Sequence, residues 1–125
     1  MDIKQLTEEM NRFVRSKGWY DEASKRPQTP RNVSISLALE TAEILEHLQW
    51  SDTVKDKAEL ASELADVALY LLQLAAITEI DLEKAILDKI EINKTREWNA
   101  ESQTSKVKGH ETFDVRPSTF DENLK

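Results

Sequence analysis

The stretch Ile35-Ser36-Leu37-Ala38-Leu39-Glu40-Thr41-Ala42-Glu43-Ile44-Leu45-Glu46-His47-Leu48-Gln49-Trp50 reads as a helix with acids set into an apolar rod. At about 100° per residue with Glu40 at zero, Glu43 falls near 300° and His47 near 340°. Leu37, Ile44 and Leu48 fall at about 40 to 80°, and Ile35, Ala42 and Leu39 at about 200 to 260°. The acids therefore form a narrow strip with apolar rows on both sides. Trp50, near 280°, extends the strip by a turn.

A second segment, Glu59 to Leu72, repeats the pattern. With Asp66 at zero, Glu59, Glu63 and Tyr70 lie at about 20 to 60°, and leucines, alanines and Val67 fill most of the rest. A helix apolar nearly all round is expected to be buried. Buried carboxylates are costly unless paired or bound to metal. The two segments hold no matching set of cations, since Lys55 and Lys57 only introduce the second. Glutamates three apart are commonly a solvated face, but two such pairs between apolar rows favour a cation held between packed helices. With no cysteine and only His47 and His110, the ligands must be oxygens, which points to Mg²⁺, Mn²⁺ or Ca²⁺. A di-iron bundle site needs Glu-x-x-His pairs, and the chain has none.

The 125 residues suit one domain, and two glycines, three prolines and abundant Leu, Ala, Glu and Lys argue for an all-α fold. The net charge of −7 disfavours a nucleic-acid partner. No apolar run is expected to span a membrane and no signal peptide is expected, so the expected location is cytoplasmic. Helices are expected over 2–17, 32–50, 54–79 and 81–98. The expected N-caps are Asn32 or Ser34, Ser51 or Asp52, and Asp81. Pro27 and Pro30 are expected to interrupt any helix and leave 18–31 a loop, where Trp19 and Tyr20 either anchor onto the core or wall a pocket. The chain divides into a helical domain, 1–98, and an irregular tail, 99–125. Lys89, Asn93 and Arg96 fall at i, i+4 and i+7 of the fourth helix, a line able to receive phosphate oxygens.

These residues together resemble a known family. Pro30-Arg31-Asn32, Leu39-Glu40-x-x-Glu43-x-x-Glu46, Gln49-Trp50, Glu63-Leu64-x-Asp66-Val67-x-x-Tyr70 and Lys89-x-x-x-Asn93-x-x-Arg96 are similar to the motifs of the MazG-like, all-α nucleoside triphosphate pyrophosphohydrolases. The branch related to deoxycytidine triphosphate pyrophosphatase is the nearest within it. The match runs from about Phe13 to Arg96. The resemblance implies a four-helix-bundle-like MazG-type fold, assembled as a dimer or a dimer of dimers. It implies Mg²⁺-dependent cleavage of nucleoside triphosphates between the α and β phosphates, as in nucleotide-pool house-cleaning. Glu40, Glu43, Glu63 and Asp66 would be metal ligands, and Lys89, Asn93 and Arg96 phosphate contacts. Trp19, Trp50 and Tyr70 would form the base and sugar pocket. Glu43 and Glu63 are the candidate catalytic carboxylates, with Glu46 and Glu59 as neighbours that could orient the attacking water. Two departures bear on base preference. Glu97-Trp98 follows Arg96 where Tyr-Pro is common, and the loop between Trp19 and Pro30 is longer than in the similar enzymes, which places Gln28 where a pocket histidine is found. The competing reading is a non-catalytic helical module whose acidic face binds a basic protein.

Overall fold

Helix starts in this chain are set by side chains that accept from otherwise unpaired backbone N–H groups. Asp2 accepts from Gln5 N at 2.8 Å while the Gln5 side chain accepts from Asp2 N, a reciprocal box that opens α1 (Ile3–Ser16). Thr29 accepts from Asn32 N at 3.1 Å and opens α2 (Pro30–Leu48). Asp56 accepts from Glu59 N at 2.9 Å and opens α3 (Lys57–Ile77). Asp81 accepts from Lys84 N at 3.0 Å and opens α4 (Leu82–Thr95). The computed structural model describes residues 1–96, and these four helices, with no strand, are their regular structure.

The all-α expectation holds, with four adjustments at the ends. Pro30 begins α2 instead of breaking the chain, because its fixed φ suits the first helical position, where no N–H is needed. The cap is Thr29, so Asn32 and Ser34 lie inside the helix. Ser51 and Thr53 bond each other across the turn, which leaves Asp56 to cap α3. α4 ends at Thr95; Trp98 and the tail 99–125 lie outside the described residues.

The described residues fall into two units that divide between Asp88 and Lys89. In the first, α3 packs along α2 and α1 lies against α3. Met10, Val14 and Leu72 form the core, with Ile3, Trp19, Tyr20, Ala76 and Leu82 packed on it. Gly18, at φ +70, turns the chain after α1 and lets Trp19 fold back; a Cβ there would stand 3.1 Å from Asp21 Oδ2. Phe13 and Trp19 meet edge to face with ring centroids 5.7 Å apart.

Two expectations are corrected. The apolar rows of α2 and α3 are not buried within one chain: Leu39 is 62 % exposed and Leu45 67 %, and Val33 is the single buried residue of α2. Periodicity identifies an apolar face but not what covers it. Second, α3 is long and apolar enough to cross a membrane by length and composition alone, with mean hydropathy 1.5 over an 18-residue window. Its acids interrupt the run by eye, yet the average tolerates them.

Candidate active site

Packing α3 along α2 sets the two acidic strips against each other. Glu40, Glu43 and Glu63 each bring one carboxylate oxygen within 4.8 Å of the other two. His47, Glu59 and Glu63 form a second group by the same measure, so Glu63 is common to both. His47 Nε2 stands 4.0 Å from Glu63 Oε1. Asp66 belongs to neither group, but its charge acts on Glu40 and the two share a cavity wall. Glu40, Glu63 and Asp66 are half-buried, while Glu43 is exposed, so the strip is a lined groove and not the sealed seam expected from the pattern.

The electrostatics follow from crowding like charges. The Glu40 pKa is raised, first by burial and then by the charges of Glu43 and Asp66. The Glu63 pKa is raised first by a hydrogen bond with Glu43, which requires a proton between them, then by burial and by the Glu43 and Glu40 charges; His47 opposes this. A carboxyl with a raised pKa holds its proton more tightly in the folded chain than in the unfolded one. Its contribution to stability is therefore present at low pH and is lost as pH climbs from about 4.5 through the raised value. In EDTA, the Tm of Glu63→Gln minus that of the parent is expected to grow as pH rises through that window. Melting curves in a pH series measure it, and a flat difference would contradict the coupling.

The donor set fits a hard divalent cation. All donors of the first triad are carboxylate oxygens, and oxygens sharing a Mg²⁺ shell stand roughly 3 to 4 Å apart, which the 4.8 Å limit brackets with a small adjustment.

Of the acids, Glu40 and Asp66 open onto a cavity of about 230 Å³, walled also by Phe13, Trp19, Tyr70 and Gln73, among others. A second cavity of about 320 Å³ shares Trp19, Tyr70 and Gln73 with it and continues to Arg26, Gln28 and Asn32. The structure thus brings together Trp19, Tyr70, Glu40 and Asp66, and places Glu43 and Glu63 beside Glu40. Trp50 does not join them: it is 89 % exposed after the end of α2 and lines neither cavity. Lys89 and Asn93 lie on α4, and Arg96 just past its end donates its backbone N–H to Asn93 O at 3.3 Å. All three belong to the second unit. Gln73 and Asn32 were not singled out from sequence as pocket residues. Gln73 had a signal: it falls at about 340° from Asp66, on the acidic strip, as the one amide in an apolar run.

Comparison with known proteins matches residues 28–98 to the MazG nucleotide pyrophosphohydrolase domain. The chain is 35 % identical to dCTP pyrophosphatase 1 of Mus musculus over an alignment of 104 residues that covers 76 % of this chain and 56 % of that protein. It is 33 % identical to dCTP pyrophosphatase 1 of Homo sapiens over the same shares. The chain therefore spans about half the length of these curated relatives. A pyrophosphatase structure from Archaeoglobus fulgidus DSM 4304 superposes with a TM-score of 0.63 at 32 % identity, covering 73 % of this chain and 87 % of that one.

Proposed function

The chain belongs to the MazG nucleotide pyrophosphohydrolase family, and on that premise we propose that it hydrolyses (deoxy)nucleoside triphosphates between the α and β phosphates, with Mg²⁺ as its cofactor. The observation that carries this reading is one cavity with aromatic walls, Trp19 and Tyr70, and carboxylates, Glu40 and Asp66, on its lining. A base and sugar on the aromatic side would put the phosphates toward the acids.

Glu40, Glu43, Glu63 and Asp66 would hold the cation. When bound, it would supply charge neutralisation and polarisation of phosphoryl oxygens. Glu43 and Glu63 bring carboxylate oxygens within 4.8 Å of each other, so one of them would accept the proton of the attacking water while the other orients it. Lys89, Asn93 and Arg96 would hold phosphate oxygens, a role supported by their single-face spacing and the family motif. The exposed apolar rows of α2 and α3 support assembly with further copies of the chain, as a dimer or tetramer. Trp50 would then meet substrate only through a pocket brought to it by a second copy. A cytoplasmic site of action, without nucleic-acid or membrane partners, belongs to the same proposal. The names of the curated relatives make dCTP the first substrate to test.

The test supplies a panel of deoxynucleoside triphosphates with Mg²⁺ and separates pyrophosphate from orthophosphate. Pyrophosphate is expected; orthophosphate alone would refute the reading. A melt with Mg²⁺ and an α,β-non-hydrolysable nucleotide at 100 times its Kd is expected to add about 2.7 kcal/mol. No stabilisation, together with no turnover, would favour the non-catalytic acidic module.

A further inference from the structure

The cavity wall carries a hydrogen-bond relay that hydrolysis does not use. Gln73 on α3 is 3 % exposed. Its Nε2 donates to Gln28 Oε1 at 2.6 Å, and Gln28 Nε2 donates to the Arg26 carbonyl oxygen at 2.7 Å. A backbone carbonyl can only accept, so it fixes which end of the Gln28 amide faces it. Gln28 then presents its oxygen to α3, and that oxygen fixes Nε2 as the facing atom of Gln73. Tyr20 holds the far side: its hydroxyl donates to Asn11 Oδ1 at 2.6 Å. Burial raises the Tyr20 pKa and the adjacent Gln73 amide works against it, as an N–H aimed at the phenol oxygen would. The orientation of both glutamines is thus set by the network, which is the only sound basis for assigning amide ends.

One atom of the relay is left over. Among the described residues none donates to Gln73 Oε1. Gln73 lines both cavities together with Trp19 and Tyr70. The wall therefore offers a ligand an acceptor, held so that it cannot turn into a donor.

We propose that Gln73 Oε1, locked as an acceptor through Gln28, selects nucleotides whose base presents an exocyclic amine at this wall over those that present a carbonyl. This deepens the nucleotide reading above and rests on it. An amine of cytosine or adenine completes the relay. A carbonyl of uracil or thymine would set two acceptors against each other and leave both unpaired. Sites built to pair a polar group reject analogues lacking it far more strongly than apolar pockets reject a change of size.

The experiment measures Kd for the α,β-imido analogues of dCTP and dUTP with Mg²⁺ by calorimetry, beside turnover of dCTP and dUTP. The parent protein is expected to bind the cytosine analogue about 10- to 100-fold more tightly. Gln73→Met keeps the length of the side chain, removes the acceptor, and is expected to bring the ratio near unity. Gln28→Met leaves Gln73 in place but unlocks it, so the amide can turn Nε2 to a carbonyl. The ratio is then expected to narrow by a gain on the uracil side, which a general loss of packing would not produce. A parent ratio of unity or below, or ratios unchanged in both variants, overturns the proposal. Preserved binding selectivity without pyrophosphate release supports Gln73 and sinks the hydrolase reading. Pyrophosphate release with a flat ratio sinks the Gln73 assignment alone.

Discussion

Glu43→Gln is expected to lower pyrophosphate release by roughly 10³-fold, because a bound divalent cation is worth several kcal/mol of transition-state charge stabilisation and each 1.36 kcal/mol is tenfold in rate. Glu43 is the choice because it is the hub of the acidic groove: its carboxyl raises the pKa of both Glu40 and Glu63, and it stands with them in the first triad. It is also the exposed member, so the amide can be accommodated without repacking. The same substitution removes a negative charge from a crowded set, so the metal-free variant is expected to melt higher than the parent. Stability and activity then move in opposite directions, the usual signature of residues kept for function at a cost in stability. Mg²⁺-dependent stabilisation should shrink in parallel with turnover. Two measurements decide it: pyrophosphate release under saturating Mg²⁺, and melting temperature in EDTA. Unchanged release, or a lower melting temperature in EDTA with lost release, would show that Glu43 serves the fold and not the cation.

The acidic strips were legible because chemistry and period coincide there. Glu40, Glu43 and Glu63 recur at helical spacing amid apolar rows, and the helices pack so that these strips meet. Asp66 obeyed the same period yet lies one step off the triad, on the cavity side, because a strip several ångströms long cannot converge wholly on one point. Gln73 was equally legible by angle but was passed over, since a lone amide in a leucine run reads as a tolerated polar residue until its partner is known. That partner, Gln28, lies 45 residues away in a loop, a separation no periodicity reports. Trp50 fits the strip by angle but stands apart from the cavities of one chain, because α2 ends at Leu48, before Trp50 is reached. Burial was the least legible property. Hydrophobic pattern fixes which face avoids water, whereas the identity of the covering surface depends on whether a single chain or several copies supply it.

Leu45→Glu tests that last point and is expected to weaken self-association by about 10²- to 10⁴-fold. Leu45 is 67 % exposed on α2, and Leu64 on α3 is 51 % exposed. Among the described residues fifteen large apolar side chains beyond Met1, these two included, are similarly exposed, against five buried apolar residues. Single exposed leucines need no explanation, but apolar rows on two adjacent helices mark an interaction surface. A second copy of the chain would present a matching apolar surface without needing charge complementarity, and closed two-fold assemblies are the commonest solution among oligomers. In such a pair each substitution counts twice. Burying one leucine is worth about 1.5–3 kcal/mol, so the pair loses about 3–6 kcal/mol before the cost of desolvating two glutamates. At 1.4 kcal/mol per tenfold, that gives the stated range. Analytical ultracentrifugation of the 14.4 kDa chain in the micromolar range is expected to show a multiple of that mass for the parent and a shift toward monomer for the variant. Leu45 lines neither cavity, so residual turnover of the dissociated variant would report whether one chain suffices for the chemistry. A parent that sediments as a monomer at these concentrations, or a variant that associates as tightly as the parent, would assign the apolar rows to a different partner.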